Sequence, residues 1–365
     1  DKAVARIADA IGGGAKILIF GDYDVDGITS TALVYTFLQQ AGASVDFYIP
    51  HRIDEGYGIR PEHVENVAIP GGFSLIVTVD CGSGGEAAVK RANSAGIDVI
   101  VTDHHAIDNL PPAAAVVNPK RSDCPSGLEH LAGVGVAFYL VIGLRKHLRD
   151  SGFWRDRTEP NLKDLSDLVA LGTVADVVPL VNENRVFTRM GLEVMNARPR
   201  PGIRALIDVC SVNKPMLEAD DLAFRLAPRL NAAGRMDHAA IGVDLLTTDD
   251  PEKARKLAET VNQCNIDRQA VERQMLRRIE LFIDQFPALS AAKSIVLSDD
   301  DWHQGVLGIV ASRLVDKYCR PVILFSIRNG YALGSARSLP GIDVYENIAA
   351  CECHLDAYGG HAMAA

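Results

Sequence analysis

The sequence predicts an α/β protein in which a doubly wound parallel sheet is joined by a long helix to a second, smaller α/β unit. Three observations lead there. Up to about residue 120, a short apolar run, a polar turn and a helix-like segment alternate at spacings of about 15–30 residues, the pattern of βαβ units. From Glu252 to Phe286 the chain passes without Gly or Pro until Pro287. Beyond it, a strand–helix–strand pattern returns. At roughly 150 residues per domain, the 365 residues suit two domains or three.

The apolar runs at 16–20, 45–49, 75–79, 99–101 and 114–117 are short and rich in β-branched residues, as buried parallel strands are. Segments 29–40 and 86–95 have helical period, the second ending at Gly96 as at a helix C-cap. The stretch 131–144 is apolar and uncharged but shorter than the ~18–20 residues a membrane span needs, so it predicts a buried helix in a soluble protein. Residues 131–200 read as mostly helical. Asp250-Pro251 starts the long helix, which carries Arg255, Lys256, Arg268, Arg273, Arg277 and Arg278 and reads as a solvated bridge. A strand at 294–297, a helix at 305–317, a strand at 322–325 and a Gly-rich tail follow. The domain limits expected are 1–245, a connecting helix over 246–287, and a truncated second domain over 288–365.

Hydrophobic residues make up 48% and charged residues 23%, which supplies a core and excludes a disordered chain, a collagen-like fibre or a disulfide scaffold. The net charge of −10 argues against a general nucleic-acid binder, unless carboxylates hold cations instead of facing solvent. Seven scattered cysteines fit a reducing compartment, and no signal peptide is visible, so a cytoplasmic protein is expected. The chain starts at Asp1 without Met, so it is read as a fragment.

The strongest local signal is Gly21-Asp22-Tyr23-Asp24-Val25-Asp26-Gly27, directly after the first predicted strand. An EF-hand loop is excluded, because Leu33 stands where a bidentate Glu is needed and a strand precedes the loop. A hard-cation site at the carboxyl end of a strand remains, against an acidic turn capping a helix. The next strands end in Thr78-Val-Asp80-Cys81-Gly82 and Thr102-Asp103-His104-His105, which must emerge at the same sheet edge. Asp176 lies in the apolar stretch Thr173–Val178, where an unpaired carboxylate is costly. Carboxylates with imidazoles beside them suit two Mn²⁺ or Mg²⁺ ions and phosphoester cleavage.

Arg225, Arg229 and Arg235, with Arg337 in Gly334-Ser-Ala-Arg-Ser338 and the terminal Gly359-Gly360-His361, form a set suited to phosphate. Gly82-Ser83-Gly84-Gly85 precedes a helix and offers backbone N–H groups, but lacks the Lys of a nucleotide-binding loop. Cys351-Glu-Cys353-His354 has no second half for zinc and reads as coincidence.

Asp22–Gly27, Val79–Gly82, Asp103–His105 and Val174–Val177 resemble the successive motifs of the DHH phosphoesterases, in the family's order and over nearly the whole chain. The wording is closest to the family's single-strand-specific 5′→3′ DNA exonucleases, which act in DNA repair and recombination. That resemblance implies Asp24, Asp26, Asp80, His104 and Asp176 as metal ligands, with Asp80 bridging the two ions. It implies His105, Asp22, Asp103 and His361 as catalytic or supporting residues, and Arg52, Arg235, Ser335 and Arg337 as holders of the 5′ phosphate. The second domain would be the DHH-associated domain. Such enzymes continue into an OB-fold that grips single strands, and these residues end before one. The partners expected are single-stranded DNA, a helicase and a single-strand-binding protein, with no membrane and a monomeric state. A nanoRNase or cyclic-dinucleotide phosphodiesterase and a non-catalytic replication scaffold are the alternatives within the same resemblance.

Overall fold

The computed structural model describes the chain apart from residues 108, 198, 213, 287, 290 and 291. Pro287, the expected stop of the long helix, therefore lies outside the described residues. Two compact units, Asp1–Cys264 and Asn265–Ala365, divide inside the long helix Pro251–Gln285.

The first unit is built on five parallel strands in the order β2-β1-β3-β4-β5: β1 Ile17–Gly21, β2 Val45–Tyr48, β3 Leu75–Val79, β4 Asp98–Thr102 and β5 Ala115–Val117. Their period-2 alternation feeds two separate cores. Ile17, Ile19, Leu75 and Val77 enter one, with Ile28, Phe37, Val134 and Leu168 from the helices on that face. Leu18, Phe20, Ile76 and Val99 enter the other, with Val89 and Ala92 from the helix Glu86–Ser94. Helices on both faces make the sheet doubly wound, as the sequence predicts. Because β1 lies between β2 and β3, the winding direction reverses there. The carboxyl ends of β1 and β3 then flank the crevice where such sheets bind ligands.

The helix after β1 starts at Val25, four residues before its periodicity becomes visible at Thr29, because the Asp24 carboxylate caps it by accepting from the Gly27 N–H at 3.0 Å. The helix Ser166–Ala175, which ends at Asp176, is pinned at its start by a buried fork. Arg200 Nε and Nη2 donate to Asp167 at 2.6 and 2.8 Å, and Asp167 is 1% exposed. Arg200→Ala would strand that charge and is expected to lower stability by about 3 kcal/mol, measured by denaturant unfolding.

The long helix is not merely solvated. Ala254, Ala258 and Val261 join the first unit's core, while Met275, Ile279 and Ile283 are buried farther along at the same three-to-four-residue spacing. In the second unit, β6 Ile295–Asp299 pairs parallel with β7 Val322–Arg328. The predicted Gly-rich tail instead contains a strand, β8 Tyr331–Arg337, antiparallel to β7. A tight Asn329-Gly330 turn joins them, both residues at positive φ, as a type I′ hairpin requires.

Candidate metal centre

Each segment bearing a predicted ligand emerges at the carboxyl edge of the sheet or at the helix ends facing it. Asp22, Asp24 and Asp26 follow β1, Asp80 follows β3, and Asp103, His104 and His105 follow β4. Asp176 is the C-cap of the helix Ser166–Ala175. They converge. The His104 Nε2 atom lies 3.2 Å from Asp80 Oδ1, 3.8 Å from Asp26 Oδ2 and 3.8 Å from Asp176 Oδ2.

His104 Nδ1 stands 3.1 Å from the Leu131 carbonyl, which can only accept, so Nδ1 carries the proton. Burial also lowers its pKa and keeps the ring neutral. Nε2 is then a bare lone pair facing three carboxylates, an arrangement a cation would stabilise. Asp80 Oδ1 and Asp22 Oδ1 are accordingly buried without hydrogen-bond partners. Asp80 also sits at φ 58, left-handed for a residue other than Gly.

Asp26 is held differently: its carboxylate accepts from the Gly133 and Val134 N–H groups at 2.5 and 2.8 Å, at the start of the helix Gly133–Asp150. Even so, burial and then the Asp24 charge push its pKa up to about 7. Burial and then Asp26 do the same for Asp176, also to about 7. Burial raises Asp22 and Asp80 well above the usual carboxylate range, reinforced by Asp24 for the first and Asp26 for the second. Desolvated carboxylates crowded together favour either protons or divalent cations. Oxygen donors with one neutral imidazole fit Mn²⁺ or Mg²⁺. Three overlapping groups have ligand atoms within 4.8 Å of one another: Asp80–His104–His105, Asp26–His104–Asp176 and Asp22–Asp24–Asp80.

Asp103 joins none of these groups. It accepts from the Ser83, His104 and His105 N–H groups at 2.9, 2.7 and 3.1 Å, and its Oδ1 stands 2.8 Å from His105 Nδ1. Although burial opposes it, the His105 and Ser83 hydrogen bonds keep the Asp103 carboxyl well below the usual range. Burial likewise works to lower His105, and Asp103 outweighs it, so His105 is raised. Since Asp103 takes the Ser83 N–H, the Gly82–Gly85 loop does not offer that donor to a phosphate.

Gly27 and Gly133 are glycines for a spatial reason. A Cβ at Gly27 would lie 2.4 Å from the Asp22 carbonyl oxygen, and one at Gly133 would lie 2.3 Å from Asp80 Oδ1. Gly133→Ala is therefore expected to weaken Mn²⁺ binding by about tenfold or more in calorimetric titration.

The charges of Arg52 and Arg235 both act on Tyr23. The Arg52 guanidinium stacks 4.5 Å above the ring, and Gly234 abuts the Tyr23 carbonyl. Burial and the Asp22 charge push the Tyr23 hydroxyl up to about 12, with Arg52 and Arg235 pulling it down. Arg225 and Arg229 are engaged elsewhere, with Asp221 at 3.6 Å and Asn262 at 2.9 Å. In the second unit, Arg337 Nη1 donates to Ser335 Oγ at 3.1 Å, and the His361–Ala364 turn pairs with the Arg337 backbone. Cys351, Cys353 and His354 form no ligand group among the described residues.

Sequence reasoning missed Tyr57, whose hydroxyl donates to the Asp80 carbonyl at 3.3 Å and stands 3.1 Å from His105 Nδ1. It also missed the 131–134 turn that serves His104 and Asp26. Gly56-Tyr57-Gly58 and Gly133-Val134-Gly135 were the available signals.

Residues 16–173 match the DHH family, N-terminal domain, and residues 291–365 the DHHA1 domain. The single-stranded-DNA-specific exonuclease RecJ of Escherichia coli strain K12 is 43% identical over 382 aligned residues, covering 100% of this chain and 65% of the relative. A crystal structure of exonuclease RecJ bound to manganese shares 37% identity with a TM-score of 0.85, covering 99% of this chain and 88% of that one. The chain belongs to the RecJ family. A second RecJ structure, in complex with Mn²⁺ from Thermus thermophilus, gives 36% identity and a TM-score of 0.84, covering 99% of this chain and 50% of that one. The chain spans about 65% of the length of the curated RecJ relatives from several bacteria. Among the described residues, no helix is long and apolar enough to cross a membrane.

Proposed function

We propose that the chain is a metal-dependent exonuclease core that degrades single-stranded DNA 5′→3′ to 5′ mononucleotides, in DNA repair and recombination. The observation that carries this reading is the convergence of Asp26, Asp80 and Asp176 on the bare Nε2 of His104 from four separate segments. Asp24, Asp26, Asp80, His104 and Asp176 would hold two divalent cations, Mn²⁺ or Mg²⁺, with Asp80 shared between them. When bound, such ions act as Lewis acids that neutralise the phosphodiester and make water a nucleophile at neutral pH.

The chain's own residues supply the rest. The helix start at Gly133 and Val134 fixes Asp26, and the Leu131 carbonyl fixes the His104 tautomer. Asp103 and Tyr57 orient His105, which would then donate a hydrogen bond to the reacting phosphate. Asp22 adds a buried carboxylate within 4.8 Å of the ligand atoms of Asp24 and Asp80. Arg52 and Arg235 in the first unit and, separately, Ser335, Arg337 and His361 in the second are proposed to bind phosphate groups of the strand. On this proposal the DHH domain covers 1–245, the helix 246–287 and the DHH-associated domain 288–365. The protein works as a cytoplasmic monomer on strands supplied by a helicase or a single-strand-binding protein.

The test compares a 5′-phosphorylated single strand, the same strand as a duplex, and a dinucleotide, in Mn²⁺. The expected result is 5′ mononucleotides from the single strand alone, with binding that weakens as salt rises. Activity confined to the dinucleotide would favour a nanoRNase-type enzyme instead.

A further inference from the structure

Val177 directly follows Asp176. Its backbone is held at φ 60, a left-handed conformation that a β-branched residue adopts only under strain. Its side chain is 86% exposed, and it belongs to neither of the first unit's hydrophobic cores. Nothing gained by packing offsets that strain.

Val177 follows the C-cap Asp176, and its N–H donates to the Val174 carbonyl at 3.3 Å, so the left-handed residue ends the helix at a place where Gly is usual and Val is strained. The loop beyond it is fixed from outside. The fully buried Asn184 donates from Nδ2 to the Pro179 carbonyl at 3.0 Å and to the His130 carbonyl at 2.7 Å. His130 precedes Leu131, whose carbonyl sets the tautomer of His104. One side chain thus ties the loop presenting Val177 to the turn that orients His104. Beyond Val177, Leu180 and Val181 continue the apolar exposure at 40% and 47%. A rigid, strained, solvent-facing apolar residue one position from a carboxylate of the cluster is a feature kept for contact with something bound there.

We infer that Val177 is a substrate wedge, abutting the face of the nucleobase whose phosphodiester sits at the carboxylate–histidine cluster and separating that base from its neighbour. This rests on the nuclease reading above and deepens it. Apolar side chains inserted at base steps unstack them in this way, and a single strand yields more readily than a duplex.

The test is the ratio of kcat/KM on a 5′-phosphorylated thymidine oligonucleotide to that on bis(p-nitrophenyl) phosphate, in Mn²⁺, for wild type, Val177→Gly and Val177→Ile. Gly removes the wedge and relieves the φ strain. Its ratio is expected to fall about tenfold, chiefly through a higher KM on the oligonucleotide, while the thermal midpoint rises. Ile keeps the wedge and should stay within about twofold of wild type. An unchanged ratio in Val177→Gly overturns the inference alone, and a lowered midpoint also counts against it, since it would mark Val177 as a packing residue. A wild type that hydrolyses the small ester but not the oligonucleotide overturns the inference and the nuclease reading together.

Discussion

Asp80→Asn is expected to reduce Mn²⁺-dependent cleavage of single strands by at least about 10³-fold, the rate equivalent of the several kcal/mol that a catalytic metal contributes. The same substitution should stabilise the metal-free protein by about 1–3 kcal/mol. Both effects have one cause. Asp80 is 1% exposed, its Oδ1 lacks a hydrogen-bond partner, and the nearest imidazole nitrogen carries no proton to donate. Without an ion, this carboxyl must either take up a proton or stand as a buried charge among like charges, and either costs folding free energy near neutral pH. Asn removes the charge and tolerates the left-handed backbone at this position. Steady-state kinetics and denaturant unfolding in chelator check the two halves. Lost activity with lost stability would make Asp80 a structural residue.

The second large effect is a reversal of pH dependence by metal. In the folded, metal-free protein, Asp26 and Asp176 titrate near 7, against an ordinary value of 3.8. Between those values the folded state holds protons that the unfolded state has released. Stability contributed by the protonated carboxyls is therefore present at acid pH and lost as pH rises to about 7. Asp22 and Asp80, raised further, act in the same direction, as does His105. His63, His104 and His303, lowered by burial, act in the opposite direction below 6.5, and lowered carboxyls such as Asp103 and Glu55 do so only below their ordinary values of 3.8 and 4.5. Mn²⁺ replaces the protons, so it should raise the thermal midpoint far more at pH 8 than at pH 5, by several kcal/mol in unfolding free energy. Equal stabilisation at both pH values would mean that the ion does not compete for these carboxyls.

The parallel strands and most members of the carboxylate–histidine cluster were legible because each is a local pattern: a β-branched run followed by a polar turn carrying Asp or His. The sheet order then forces Asp24, Asp80 and His104 to one edge. Asp176 was legible only as an expensive carboxylate in an apolar stretch, although it caps a helix and not a strand. What could not be read is what depends on contacts far apart in the chain. The Leu131 carbonyl and the Gly133 and Val134 amides lie 27 to 108 residues from the side chains they serve, and the reading of 131–144 as core helix masked their role. Tyr57 gives no periodicity signal at all. The missed β8 strand is a different matter: Asn329-Gly330 between Arg328 and Tyr331 is a strong hairpin signal, overlooked because the glycines after it suggested a loop.

Whether these side chains form one metal centre is tested most directly by Mn²⁺ anomalous scattering from crystals grown with the ion. Two peaks are predicted, both in coordination contact with Asp80, one of them also touching His104, and both absent in Asp80→Asn. Peaks found only elsewhere, for example at the acidic group Asp299–Asp301 that Arg278 already pairs with, would contradict the account.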